Sequence, residues 1–144
     1  MGLELPQSAS IQAIPVRMTT DVGADILAGK VVAVVDDDKA VCDSMQVLLE
    51  ICDIDVRTYL SGSDFLRESP DVACLMVDYH MPGLNGLELI SELHNRGMYS
   101  PAIVITAIAD PTIEQRAAEL GIVQVLKKPL AKPVLLAALR KAVR

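Results

Sequence analysis

The sequence predicts an α/β domain built on a doubly wound, five-stranded parallel sheet, and three observations lead to it. Short runs of β-branched and other apolar residues recur along the chain, each about the length of a strand buried on both faces. Segments with helical spacing of apolar residues separate the runs, so strands and helices alternate. Four of the runs end in a polar group. Asp36, Asp37 and Asp38 follow Val31 to Val35, Asp78 follows Cys74 to Val77, Thr106 follows Ala102 to Ile105, and Lys128 follows Ile122 to Lys127. Ligands of such sheets sit just beyond the carboxyl ends of the strands, so these groups should meet on one edge.

Residues 1 to 29 mix Pro, Gln, Ser and Thr without sustained periodicity and read as a leader that is partly disordered or loosely docked. The folded unit should begin near Lys30 and run to residue 144. After a strand at 31 to 36, a helix starts near Lys39, with Val41, Met45, Leu48, Leu49 and Cys52 on one face. A second strand near 54 to 60 leads to Ser61-Gly62-Ser63-Asp64, cap chemistry for a short helix through Phe65 and Leu66 that stops before Pro70. The third strand, 72 to 77, ends at Asp78. Pro82, Gly83, Asn85 and Gly86 form the next loop, and Leu89, Ile90 and Leu93 then face inward from a helix ending near Gly97. The fourth strand runs from Ala102 to Thr106. Asp110-Pro111-Thr112 opens another helix, because Pro is tolerated in a first turn, and Gly121 closes it. A fifth strand follows directly, and Pro133 begins the last helix.

With 144 residues there is room for one ordinary domain and a real core. No apolar run reaches the roughly 18 residues of a membrane helix, and no basic start precedes a signal core, so a cytoplasmic protein without membrane contact is expected. A net charge of -6 argues against direct nucleic-acid binding. Cys42, Cys52 and Cys74 show neither CxxC nor metal-ligand spacing, and read as buried free thiols acting as small core hydrophobes. After Glu119 the chain carries Lys127, Lys128, Lys132, Arg140, Lys141 and Arg144 and no acid, a basic end favoured by the helix dipole, with a docking patch as the other reading.

Carboxylates gathered on one edge repel. The folded chain should therefore hold a divalent cation among them, with the Lys128 ammonium balancing further charge. This chemistry suits Mg²⁺ and a phosphoryl group. Taken singly, each residue has a plainer role: Asp38 as a helix cap, Thr106 as a strand residue, Lys128 as a solvated amine, His80 as a solvent-facing loop residue. Asp36, Asp37 and Asp78 together are harder to assign to turns alone.

Over residues 31 to 143 the motifs resemble the receiver domains of two-component response regulators. Val35-Asp36-Asp37-Asp38 is similar to the family's acidic cluster, and Val77-Asp78-Tyr79-His80-Met81-Pro82-Gly83-Leu84-Asn85-Gly86 to its phosphoacceptor loop. Ile105-Thr106-Ala107 and Lys127-Lys128-Pro129 complete the set in order and spacing. The resemblance implies a flavodoxin-like sheet of order 2-1-3-4-5, with the first and third strands at the switch point. It implies that Asp78 takes a phosphoryl group from a histidine kinase or a histidine phosphotransfer protein. By the same resemblance Asp37 and Asp78 bind Mg²⁺ directly with the main-chain carbonyl of His80, and Asp36 acts on the ion through water. Thr106 and Lys128 each meet a phosphoryl oxygen, and the Lys128-Pro129 bond is cis. The protein would be a signalling phosphoacceptor with slow autodephosphorylation, not a turnover enzyme. It would act on a downstream protein target, with a phosphorylation-dependent homodimer as one option.

Two departures stand out. Many receivers carry Tyr or Phe three residues before the lysine, and here that residue is Val125. The positions that border the attacking water in the family are His80 and Ile108. Two rival readings remain, an interaction module that is never phosphorylated and an aspartyl-phosphate phosphohydrolase. The second needs an acid two residues after the nucleophile, where His80 stands. Neither GxGxxG nor GxxxxGK[ST] occurs.

Overall fold

The computed structural model describes residues 26–144. Among them five strands alternate with five helices: β1 (Val31–Val35), α1 (Lys39–Glu50), β2 (Asp55–Tyr59), α2 (Gly62–Glu68), β3 (Cys74–Asp78), α3 (Gly86–Asn95), β4 (Ala102–Thr106), α4 (Pro111–Glu119), β5 (Gln124–Lys127) and α5 (Lys132–Val143). Every strand pair is parallel and the order is β2-β1-β3-β4-β5, as the resemblance implied.

Side chains alternate along a strand, so each strand feeds two apolar layers. Val32 and Val34 of β1, Cys74 and Met76 of β3 and Ile103 and Ile105 of β4 pack with Met45 and Leu49 of α1 and Leu135 and Leu139 of α5. Ala33, Val35, Leu75, Val77 and Val104 face the opposite way, toward Phe65 of α2, Leu89 and Leu93 of α3 and Ile113 of α4. β3 and β4 are buried along their whole length. Apolar runs without polar alternation are what two covered faces require.

The boundaries follow local chemistry. Asp38, Ser61 and Asp110 each accept a hydrogen bond from a main-chain N–H of the helix they cap. Asn85 and Glu88 form a reciprocal capping box at the start of α3. β5 begins at Gln124 and not at the expected 122, because Ile122 N–H bonds back to Ala117 O at 3.0 Å and still belongs to the closure of α4. That closure needs Gly121, whose φ is +72°. The inward face of α1 is turned from the expected one: Cys42, Met45 and Leu49 are buried, while Val41, Leu48 and Cys52 are half-buried at its edge. Cys52 is thus not the buried thiol the sequence suggested. Of the expected leader, residues 1–25 lie outside the described residues, whereas Leu27 is fully buried in the α1/α5 layer. No helix among the described residues is long and apolar enough to cross a membrane.

Candidate functional site

Strand register brings the acids together. Val35 of β1 lies beside Val77 of β3, so the next positions along each strand, Asp36 and Asp78, emerge side by side. Both fall on the α1/α5 side of the pleat, and so does Lys128, two residues after Leu126. The Lys128 ammonium lies 3.1 Å from a carboxylate oxygen of Asp78 and 3.4 Å from one of Asp36. Asp37, exposed on the turn, completes a group: one carboxylate oxygen from each of Asp36, Asp37 and Asp78 lies within 4.8 Å of the others.

Among the described residues the buried polar side chains are Asp36, Asp78 and Thr106, with exposures of 4, 6 and 2 %. Burial of a charge is costly unless it is paired, so such residues mark a site more strongly than surface acids do. Asp36 is tied on both sides. One oxygen accepts from Asp38 N–H at 2.9 Å, and the other faces Lys128. Burial pushes the Asp78 carboxyl above its ordinary range and the Asp36 charge pushes it further, against the downward pull of Lys128. For Lys128, burial works to lower the ammonium's pKa, but the bond to Asp78 and the charges of Asp36 and Asp78 outweigh it and the net shift is upward. Both members of one ion pair therefore shift upward. For Asp78 burial is the larger cause and the Asp36 charge the second, while the same two carboxylates raise Lys128; one amine faces two adjacent anions.

Other predicted residues stand apart. Thr106 lies on the opposite side of the pleat, and its hydroxyl accepts from Ile108 N–H at 3.2 Å and donates to Ile108 O at 3.1 Å. It touches neither Asp78 nor Lys128 among its recorded hydrogen bonds, and is held by its own loop. The His80 side chain is exposed, its ring edge-on to Tyr79 with centroids 4.7 Å apart. Asp38 does cap α1, bonding Ala40 N–H at 2.9 Å. The Lys128-Pro129 bond is cis.

Two features were not read from the sequence. Cys42, on α1, places its sulfur 3.3 Å from Asp36 O and 3.8 Å from Tyr59 O, behind the acidic turn. An apolar groove of about 630 Å³ also opens between α1 and the start of α5, lined by Val41, Met45, Met76, Ile105 and Leu130 and reaching Asp78. Neither has a sequence signature, because each depends on how α1 lies across the sheet.

The fold and this edge of acids and amine define a class. The family model for the response regulator receiver domain matches residues 32–140, and the chain belongs to that family. It is 38% identical over 111 residues to the transcriptional regulatory protein FixJ of Azorhizobium caulinodans, covering 76% of this chain and 53% of that protein. To the transcriptional regulatory protein TdiR of Thauera aromatica it is 36% identical, covering 77% of this chain and 50% of that protein. The chain thus spans about half the length of the curated relatives it matches. The crystal structure of FixJ-N superposes with a TM-score of 0.73 at 31% identity, over 79% of this chain and 93% of that one. A Vibrio cholerae chemotaxis protein, CheY4, shares the fold with a TM-score of 0.74 at 23% identity, over 80% of this chain and 99% of that one. As a receiver domain of response regulators, the chain is a signalling domain.

Proposed function

We propose that Asp78 is the phosphoacceptor, taking its phosphoryl group from the phosphohistidine of a sensor histidine kinase or a histidine phosphotransfer protein. The observation that carries this is the Asp36, Asp37, Asp78 and Lys128 constellation, packed at the ends of β1, β3 and β5 with more negative charge than its one amine can balance. A carboxylate oxygen of Asp78 bonds to phosphorus as the phosphorus–nitrogen bond breaks, and the nitrogen leaves with the bonding pair. A strand end buried to the tip holds the nucleophile still, which favours in-line attack.

The donor set is all oxygen and closely spaced, as a hard divalent cation requires, and it lacks positive charge, so the residues fit Mg²⁺. Asp37, Asp78 and the main-chain carbonyl of His80 would hold the ion directly and Asp36 through water. Bound there, Mg²⁺ supplies neutralising charge to phosphoryl oxygens. Lys128 pairs with another phosphoryl oxygen on release from Asp36. Thr106 hydrogen-bonds a third once its hydroxyl leaves Ile108. Water later hydrolyses the acyl phosphate slowly, past His80 and Ile108. We place the domain, residues 30–144, in the cytoplasm, acting on a downstream protein target within the signalling pathway and able to dimerise when phosphorylated. Its transcriptional relatives suggest that any contact with DNA belongs to other parts of such regulators, not to this acidic domain.

The test is Mg²⁺-dependent labelling of the full chain with acetyl phosphate, read by intact mass. One added phosphoryl group is expected, absent without Mg²⁺ and absent in Asp78→Asn. Acid-stable labelling that persists undiminished in Asp78→Asn would remove the assignment.

A further inference from the structure

We infer that Cys42 is a positioning residue for the acidic turn, its thiol hydrogen bond setting where Asp36 and Asp37 stand. The inference rests on the proposed Mg²⁺ and phosphoacceptor reading and assigns a role within it. Cys42 lies one turn into α1, is 1 % exposed, and sits where β1 and β2 both end. Its sulfur is 3.3 Å from Asp36 O and 3.8 Å from Tyr59 O. A thiol carries its proton at neutral pH and a carbonyl oxygen can only accept, so the sulfur serves as the donor.

The Asp36 backbone is held at each of its polar atoms. Its N–H donates to Tyr59 O at 3.0 Å, its carbonyl accepts from the thiol, and its side chain accepts from Asp38 N–H at 2.9 Å. A peptide unit is planar, so fixing the Asp36 carbonyl also fixes the direction of the Asp37 N–H and the position of the Asp37 Cα. Asp37 is the exposed member of the acid group, and its carboxylate makes no hydrogen bond among the described residues. Its distance from Asp78 is therefore set through its main chain, where Cys42 supplies the bond to the carbonyl side of the Asp36–Asp37 peptide and the Asp36 N–H and side chain supply the others. A purely apolar residue at 42 would fill the space but leave a buried carbonyl without this donor. The sequence reading of Cys42 as a core hydrophobe accounts for its burial and misses the bond.

Three variants of the full chain separate donor from volume. Cys42→Ser keeps a donor, Cys42→Val keeps bulk without a donor, and Cys42→Ala keeps neither. Mg²⁺ affinity by calorimetry, the initial rate of acetyl-phosphate labelling and metal-free stability in urea are measured for each. A thiol is a weak donor, so Val and Ala should each weaken Mg²⁺ binding by about three- to fivefold and slow labelling, while Ser stays within about twofold of the parent. If Val matches the parent in Mg²⁺ affinity, or if affinity follows metal-free stability across the three regardless of donor, Cys42 is only a packing residue. Should Val not fold, the Ser and Ala pair decides by the same comparison. A parent chain that binds no Mg²⁺ and takes no phosphoryl group at Asp78 overturns the functional reading and this inference with it. Normal parent behaviour with an indifferent Val variant overturns the inference alone.

Discussion

Lys128 reaches both buried carboxylates from the last strand, and the balance of the site at the residue scale depends on it. Removing one partner of a buried charge cluster leaves the others uncompensated, which generally costs more than the intact pairing contributes. Lys128→Met should therefore lower metal-free stability by roughly 1–3 kcal/mol, discounted because the amine is partly in water. Mg²⁺ should recover part of that loss. Urea titrations of both proteins with EDTA and with Mg²⁺ provide the check, and an equal loss in the two conditions would show that the ion and the amine do not act on the same charge. At Asp37 the expectation is opposite in sign. Asp37→Ala removes a repelling neighbour of Asp78 and a proposed metal ligand together, so it should weaken Mg²⁺ binding and labelling while leaving metal-free stability unchanged or raised. Unchanged Mg²⁺ affinity would place the ion elsewhere.

Elements matter because they bring backbone against backbone at the site. A Cβ built on Gly86, the first residue of α3, would lie 2.9 Å from Asp78 O and 3.2 Å from Tyr79 Cα. Nothing there is a flexible side-chain end, so Gly86→Ala must push α3 away from the end of β3. A loss of about 1–3 kcal/mol is expected, together with slower labelling, since the shifted backbone carries the proposed nucleophile. Full stability by urea unfolding would mean that α3 can slide without resistance. The β4–α4 loop is the second such element. Thr106 holds Ile108 by two hydrogen bonds and cannot turn toward a phosphoryl group without releasing them. Val125 lies beside Val104 on the same side of the sheet and has no ring to move. With beryllofluoride as the phosphoryl mimic, hydrogen exchange should therefore change more over residues 106–112 than over 122–127. The reverse pattern would assign the signal to β5.

At the scale of the whole molecule, one buried carboxyl with a raised pKa links folding to pH. Asp78 binds its proton more tightly in the folded chain than in the unfolded one. Its contribution to stability is therefore present below the ordinary carboxylate value and is lost as pH rises through the raised value. Without metal, the parent should lose stability relative to Asp78→Asn as pH rises above the ordinary carboxylate value and through the raised one. Mg²⁺ should diminish the difference by favouring the charged form. Denaturation curves of the two proteins across that range isolate the one group, and a parent that gains on the variant as pH rises would reverse the sign of the linkage.

The chain's local chemistry determined most of the architecture before any tertiary contact is considered. Runs such as Val31 to Val35 and Ala102 to Thr106 have the length and β-branched content of buried strands, and Asp38, Ser61, Asn85 and Asp110 start helices by side-chain bonds to main-chain N–H groups a few residues away. The acids, hydroxyl and amine were legible for the same reason, since a strand end followed by a polar residue is a local pattern. Tertiary structure decided which of these groups meet. The pleat and the register of β1 on β3 put Asp36, Asp78 and Lys128 on one side, and left Thr106 on the other with its hydroxyl bound to Ile108. The Cys42 bond to Asp36 was equally out of reach, and so was the turned face of α1 that buries Cys42 in place of Val41 and Leu48. Periodicity reports which residues share a helix face, but the rotation of that face is chosen by packing against a sheet whose parts lie far apart in sequence.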